Sequence, residues 1–459
     1  MSASHFFFVG VAGAGMSALA QYLAQRGFSV TGSDRQFGQK DAPVVQRQLE
    51  VEGIRCVAQD GSGVDASVNT VVVSTAIEKG NPDLDRALAL GIPVLHRSEL
   101  LARLTRERRT IAVSGTSGKS TVTGMVWHIL HEVGLSPSLL SGAGLSVLEA
   151  QGKIGNAVAG SGEWLVCEAD ESDGTLVRYA PEVGVILNID KDHKEISELQ
   201  ELFQTFAAQT IGPLIVNGAH PLAEAFAKEL SWVFGPEGKH GFQWLDYEPV
   251  GTGIRFRLRR AGTLLRVELP VPGRHNMENA TAAIACAVAA GVPLRKAVEA
   301  LRSWGGIHRR HQILGTVRGV TLVDDFAHNP AKIVASIRAC QGFTSGRVLA
   351  WFQPHGFGPT RFLRHDLVKG IEAALRPGDA IWFSRIYYAG GTAVQDISAG
   401  DLVQDLCDLG VEAYYEPDRD VAARVLVAQA HSGDTLLLMG ARDPGLAEFT
   451  RSVLRLLES

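Results

Sequence analysis

Three times along this chain a short run of β-branched and aromatic residues breaks into small or polar residues and then passes into a helical pattern. The runs are "HFFFVGVAGAGMSALAQYLAQRG" from His5, "TIAVSGTSGKSTVTGMVW" from Thr110 and "VTLVDDFAHNP" from Val320. A strand that feeds a helix through a short polar loop is the first half of a βαβ unit, and its repetition dictates mostly parallel sheets with helices on their faces. Further strand-like runs follow each event: "FSVTGSD" and "TVVVSTA", then "WLVCEADESD" and "VGVILNIDKDH", then "RVLAWFQP", "DAIWFSRIYYAG" and "DTLLLMGARDP". At roughly 100–200 residues per domain, 459 residues accommodate three α/β domains, each large enough to bury its own core.

The charged segment "LTRERR", Leu104 to Arg109, reads as an exposed linker, which sets the expected domains at 1–108, 109–315 and 316–459. Alternating runs between Trp232 and Pro272, such as "IRFRLRR" and "LLRVELPV", read as a β-hairpin excursion from the central domain, and "LGTVRG" reads as a turn before the third. Composition removes several function classes. Forty-nine acidic against 44 basic residues leave a formal charge of −5, with no Lys/Arg cluster able to track a polynucleotide backbone, so no nucleic-acid partner is expected. No run reaches the ~18 apolar residues of a membrane helix, and the N-terminus lacks a cationic stretch before its apolar run. A cytoplasmic protein with no membrane partner is the expectation. Cys56, Cys167, Cys286, Cys340 and Cys407 are odd in number and widely spaced, and they read as reduced core residues rather than a disulfide or zinc framework.

Two loops carry nucleotide chemistry. In "GVAGAGMSA", Gly13, Gly15 and Ala18 stand in a G-x-G-x-x-A frame, and Asp34 closes the next strand about 20 residues on, the spacing of a dinucleotide fingerprint. Glycines there let the backbone approach a diphosphate at a helix N-terminus; NAD or any diphosphate nucleotide satisfies the pattern, as does a tight turn with no ligand. In "SGTSGKST" the second loop turns amide N–H groups onto phosphate oxygens, Lys119 supplies a point charge, and Ser120 a hydroxyl for magnesium. Its glycines, Gly115 and Gly118, are closer together than in the common phosphate-loop consensus. Magnesium needs further oxygens, and acidic candidates close the following strands: Glu168, Asp170, Glu171 and Asp173, then Asp190 and Asp192 beside His193. Each taken singly also reads as a solvated loop residue.

These segments, with "GRHNMENATAA", "RRHQILG", "DDFAHNP" and "FQPH" after them, resemble in their order the Mur ligase family over the whole chain. The resemblance implies an N-terminal Rossmann-like domain for a UDP-sugar, a central P-loop ATPase-like domain and a C-terminal Rossmann-like ligase domain. It implies ATP-dependent joining of the UDP-N-acetylmuramate carboxylate to L-alanine, or alternatively to a preformed murein tripeptide, with ATP and Mg2+ as cofactors. It moves the first glycine loop (Gly13, Ala14, Gly15, Met16, with Asp34) from NAD to the UDP-sugar, and an NAD-dependent oxidoreductase stays as the reading of another class. ATP contacts are implied for Gly115, Thr116, Ser117, Gly118, Lys119, Ser120 and Thr121, for Asn276 and Asn279, with His275 beside them, and for Asp325 at the ribose. The asparagine pair equally suits a helix N-cap. Lys119, His193 and Arg310 would be catalytic, with Lys119 and Arg310 on the transferred phosphate, Ser120 and Glu168 holding magnesium and His193 holding a second magnesium ion. His328 reads as a substrate contact or as a simple loop histidine. Partners would be small molecules, an amino acid or short peptide among them, with the chain a monomer or homodimer.

The implied chemistry needs no nucleophilic side chain. A carboxylate is a poor acyl donor, so its oxygen attacks the γ-phosphate to give an acyl phosphate, which the acceptor amine then attacks; positioning and charge stabilisation govern both steps. The chain departs from the alanine-adding pattern at four places. Ser117 stands for a usual histidine, "FAHNP" with Asn329 for "YGHHP" or "YAHHP", Gly356 for an arginine after His355, and "MGARDPG" with Arg442 for "MGAGD". A lost arginine removes a bidentate carboxylate contact, which Arg361 or Arg442 would replace only from the right place.

Overall fold

The computed structural model describes residues 4–38, 42–171, 175–190, 195–229, 231–236, 241–388, 390 and 394–459. They form three α/β domains with one sheet each. The first sheet holds β1 (His5–Val9), β2 (Ser29–Asp34), β3 (Arg55–Ala58), β4 (Thr70–Val73) and β5 (Val94–His96) in the order β3-β2-β1-β4-β5, with every pair parallel. Phe7, Phe8 and Val9 of the central strand are wholly buried, each worth ~1.5–3 kcal/mol of transfer free energy.

The second sheet comprises β6 (Arg109–Ser114), β7 (Ser138–Leu140), β8 (Ala157–Val158), β9 (Trp164–Glu168), β10 (Val183–Ile186), β11 (Leu214–Asn217), β12 (Trp232–Gly235), β13 (Phe242–Val250), β14 (Gly253–Arg260) and β15 (Thr263–Leu269). Their order is β15-β14-β13-β12-β11-β10-β6-β9-β7-β8. β6 lies between β9 and β10 in parallel register, Val113 opposite Glu168 and Ser114 opposite Ile186. That register brings the loop after β6, the carboxylate closing β9 and the segment after β10 to one edge, where open α/β sheets bind ligands. The third sheet holds β16 (Gln312–Val317), β17 (Val320–Asp325), β18 (Val348–Gln353), β19 (Ala380–Phe383), β20 (Ala413–Tyr415) and β21 (Thr435–Gly440) in the order β16-β17-β21-β18-β19-β20. All its pairs are parallel except β16 with β17.

Several expectations need correction. "LTRERR" is no linker: a helix runs from Arg97 to Glu107, and Leu100, Leu101 and Leu104 form its buried stripe, so the charges are merely its outer face. "LGTVRG" is mostly strand, with the turn confined to Arg318 and Gly319 between β16 and β17. The alternating runs after Trp232 do not leave the sheet; they extend its edge as β13 to β15. Cys167, Cys286 and Cys340 are buried as expected, but Cys56 is only partly buried and Cys407 is exposed; all five are free thiols.

Packing gathers the chain into two compact units. One contains everything described up to Asp246, with Phe256–Glu268 and Glu278–Ile307; the other contains Tyr247–Arg255, Leu269–Met277 and His308–Ser459. The first two sheets share a unit because a polar knot joins them. Gln21, on the helix Ala14–Gln25, donates to Asn156 Oδ1 (2.8 Å), and Asn156 Nδ2 donates to the Ala14 carbonyl (2.9 Å) and to Ser17 Oγ (3.1 Å). One apolar core also runs from Phe8, Leu19 and Leu23 to Leu140, Leu165 and Ile186. Among the described residues no helix is long and apolar enough to cross a membrane.

Candidate functional site

The loop Gly115–Gly118 leaves β6 and opens the helix Lys119–Glu132. Gly118, its N-cap, has φ +87°, and a Cβ there would sit 2.7 Å from Asn279 Oδ1, so the glycine both makes the turn and admits the asparagine. Lys119 Nζ donates to the Gly115 carbonyl (2.8 Å) and to Glu171 Oε2 (2.8 Å), with Asp170 Oδ1 at 3.6 Å. Burial works against the Lys119 ammonium, but Glu171, Asp170 and Glu168 outweigh it and hold its pKa above the usual value. Burial raises the Glu171 carboxyl, and Asp170 adds to this, against the pull of Lys119. Glu168 Oε1 accepts from Ser141 Oγ (3.0 Å) and the Gly142 amide (2.5 Å). Three carboxylates thus surround one ammonium, with the buried Ser120 hydroxyl on the same helix start.

Asn188, a residue the sequence reading passed over, pins this loop. Its Oδ1 accepts from the Ser117 amide (2.7 Å) while its Nδ2 donates to the Ser117 carbonyl (3.0 Å), and its own carbonyl accepts from the Thr116 amide (3.2 Å). Thr116 Oγ1 adds a bond to the Asp190 carbonyl (3.2 Å) and accepts from the Asp190 amide (3.0 Å). The planar carboxamide donates from one atom and accepts at the other, as this pair of bonds to Ser117 requires; the one sequence signal was an asparagine just past a strand end. Asp190 Oδ1 lies 3.2 Å from His220 Nε2. Thr121 lies in the first turn of the same helix. Asp173, Asp192 and His193 lie outside the described residues. Among the described residues no three His, Cys, Asp or Glu side chains converge as a metal site.

At the first glycine loop, Gly13 caps the helix Ala14–Gln25, and the Ala12 amide donates to Asp34 Oδ2 (3.1 Å), so Asp34 braces the loop from the end of β2. Ala14 and Gly15 border solvent, whereas Met16 is 3% exposed. The Met16 side chain packs into the core, so any ligand contact there is left to its backbone. Arg97 supplies what the sequence reading missed: a Cβ on Gly15 would lie 3.0 Å from its Nη1, so a guanidinium flanks this helix N-terminus. Nothing in "HRSEL" marks it, since the proximity is tertiary.

Asn276 and Asn279 do not cap the helix Arg274–Ala289, which begins before both; Asn276 is buried and donates to the Pro272 carbonyl (2.7 Å). In the second unit Arg310 lies over the Phe326 ring (4.8 Å), and Asp325 Oδ2 is 3.9 Å from His311 Nδ1. Burial lowers the pKa of His275 against the pull of Asp325. His328 is packed between Phe326 and His355, its Nδ1 2.8 Å from the Phe326 carbonyl, and burial pushes its pKa down to about 2. Asn329 explains "FAHNP" locally, because its Oδ1 caps the helix Pro330–Gln341 through the Lys332 amide (3.0 Å). Arg361 pairs with Asp396 and donates to the Val394 carbonyl (3.2 Å), and Arg442 is exposed in left-handed backbone. Gly356 has φ +70°, a conformation that disfavours the arginine expected there.

At the carboxyl ends of β18, β19 and β20 lies a cavity of about 790 Å3, bordered by Gln353, Ser384, Arg385, Tyr387, Tyr415 and Arg419 among others. Gln353 Oε1 and Ser384 Oγ are buried without a hydrogen-bond partner among the described residues. Orphaned buried polar atoms are costly, so two at one cavity wall make it a candidate ligand surface.

Comparisons with known proteins agree with this geometry. Residues 5–109 match the model of the Mur ligase family catalytic domain, 113–287 the Mur ligase middle domain and 309–442 the Mur ligase glutamate ligase domain. A UDP-N-acetylmuramate–L-alanine ligase of Syntrophomonas wolfei is 34% identical over 449 residues, covering 95% of this chain and 94% of the relative. Its counterpart in Streptomyces coelicolor is 35% identical over 448 residues, with the same coverage. Among solved structures, the UDP-N-acetylmuramate–alanine ligase of Thermotoga maritima superposes with a TM-score of 0.82 at 25% identity over 99% of both chains. A murein peptide ligase of Psychrobacter arcticus shares the fold, with a TM-score of 0.70 at 21% identity over 99% of this chain and 98% of that one. With three family models matched in order and relatives alike from end to end, the chain belongs to the Mur ligase family of ATP-dependent ligases.

Proposed function

We propose that this ligase joins the carboxylate of UDP-N-acetylmuramate to L-alanine, at the expense of ATP, by way of an acyl phosphate. The observation that carries the reading is Lys119, held at a helix N-terminus among Glu168, Asp170 and Glu171 at the sheet edge where Ser117 and Thr116 are pinned by Asn188. Amides of Gly115–Thr121 and the Lys119 ammonium receive the β- and γ-phosphates, while Asn276 and Asn279 serve the adenine and Asp325 the ribose. Arg310 meets the charge that develops on the transferred phosphoryl group. The UDP-sugar lies along Gly13, Ala14 and Gly15, where Arg97 and the helix N-terminus complement a diphosphate. Carboxylates in excess over Lys119, together with the Ser120 hydroxyl, offer the hard oxygens magnesium prefers. Glu168 and Ser120 would hold it alongside phosphate and water oxygens, and His193 would hold a second magnesium ion. When bound, the ion neutralises phosphate charge. Domain limits of 1–108, 109–315 and 316–459, a monomer or homodimer, and a cytoplasmic setting belong to the same proposal.

L-alanine as acceptor rests on the names of relatives alike over 95% of this chain. One observation favours a second acceptor, the murein tripeptide. The cavity beside Gln353 and Ser384, about 790 Å3 and open on one side, has room for a ligand larger than a three-carbon amino acid. Gly356 also removes the arginine of the alanine-adding pattern. The experiment is phosphate release with ATP and UDP-N-acetylmuramate, screened across single amino acids and murein tripeptide, with Lys119→Ala as the blank. Release driven by L-alanine supports the first reading, release driven only by tripeptide the second, and no amine-dependent release rejects both.

A further inference from the structure

Arg310 stands between two residues in left-handed backbone, Arg309 at φ 51° and His311 at φ 50°. Residues with a side chain seldom adopt that conformation, and two flanking one position persist only where their surroundings over-determine them. Here both side chains are buried and bonded. Arg309, 8% exposed, places Nε 3.1 and 3.0 Å from the two oxygens of Asp324, itself 3% exposed, and donates from Nη2 to the Gly440 carbonyl at 2.9 Å. Its backbone is tied as well: its amide donates to Gln312 Oε1 (3.0 Å) and its carbonyl accepts from the Phe326 amide (2.7 Å). On the other side His311 sets Nδ1 3.1 Å from Ser336 Oγ and Nε2 3.7 Å from Cys340 Sγ, with Phe343 edge-on to its ring. The residue between them stays partly exposed, its guanidinium over the Phe326 ring.

A plain packing role explains this poorly. Replacing a buried ion pair with apolar residues of similar volume is often neutral or stabilising. What an ion pair and a histidine hydrogen bond add is a fixed direction for the residue they flank.

We propose that Arg309 with Asp324, and His311 with Ser336, are positioning residues that hold the backbone so that Arg310 faces the transferred phosphate. This rests on the reading of Arg310 given above. Both anchors lie within the third domain: Asp324 is the penultimate residue of β17, Gly440 ends β21, and Ser336 lies on the helix Pro330–Gln341. The two strand ends and one helix fix the arginine's direction before any substrate arrives, and such preorganisation acts on kcat rather than on binding.

The test is a double-mutant cycle on phosphate release, with thermal melting of each variant in parallel. Arg310→Ala should lower kcat by roughly 10²–10³-fold. Asp324→Asn should lower kcat by ~10–100-fold, as a misplacement of about 1 Å does, with KM for ATP changed less than about 3-fold. Adding Asp324→Asn to Arg310→Ala should cost less than about 3-fold more, because the anchor acts only through the arginine. Ser336→Ala, which removes a hydroxyl and leaves the ion pair intact, should show the same non-additivity on a smaller scale, and carries the test if Asp324→Asn does not fold. Multiplicative losses in the double variants, or anchors that lower the melting temperature while kcat holds, would overturn the proposal and leave the role of Arg310 standing. Wild-type turnover in Arg310→Ala would remove that role and the proposal together.

Discussion

Lys119→Met separates what the central lysine does for the fold from what it does for the reaction. Its ammonium is 2.8 Å from Glu171, whose side chain is 8% exposed, and near Asp170 and Glu168. Methionine keeps the stem's volume but leaves those carboxylates facing one another without a cation. Removing one partner of a buried pair costs about 3–5 kcal/mol, because the remaining charge is uncompensated. At roughly 2–4 °C per kcal/mol for large domains, the melting temperature at pH 8 should fall by about 6–20 °C. The loss should depend on pH in a definite direction. Burial already raises the Glu171 carboxyl above its ordinary 4.5, and without Lys119 it rises further. A group whose folded pKa is raised contributes stability that is complete below its unfolded pKa and is lost as pH climbs from about 4.5 through the folded value. Lys119→Met should therefore be less destabilised at pH 5 than at pH 8. Lys119→Met with Glu171→Gln should melt close to wild type at both pH values, yet release no phosphate. Equal destabilisation of the single variant at the two pH values, or no recovery in the double, would show that the lysine is not balancing a buried carboxylate.

Two further outcomes follow from the geometry. Asn188→Ala deletes the reciprocal bonds to the Ser117 amide and carbonyl, so KM for ATP should rise by about 5–30-fold, the equivalent of ~1–2 kcal/mol, with the melting temperature lowered modestly; an unchanged KM would mean the loop holds its shape alone. Burial lowers His311 to about 4 and His328 to about 2, so both stay neutral in the folded chain below the ordinary 6.5, while the unfolded chain takes up their protons. Stability should fall as pH drops from about 6.5 toward 4, at up to ~1.4 kcal/mol per pH unit for each histidine, and the slope in melting experiments should lessen in His328→Asn.

The strands and their order of appearance were legible because burial on both faces writes itself as runs such as "TIAVSG" and "RVLAWFQ", and the phosphate loop because only glycine makes its turn. Where local patterns compete, the reading failed. "LTRERR" carried the charge of a linker, yet it is the solvated face of a helix whose leucines are spaced to meet a core. The first two domains looked separable, but Gln21 and Asn156, 135 residues apart, tie the first helix to the second sheet. Arg97 beside Gly15 and the anchors of Arg309 and His311 leave no mark on the chain, and Asn188 under Ser117 leaves only an asparagine past a strand end, since contacts between distant residues have no sequence period. Periodicity and turn chemistry are local, so the sequence by itself determined three α/β domains, the two glycine loops and the charged residues available to them. Which carboxylate meets Lys119, which carboxamide fixes its loop, and which partners anchor the left-handed Arg309 and His311 on either side of Arg310 are choices among side chains brought together only by strand register and helix packing, and the tertiary structure alone decided them.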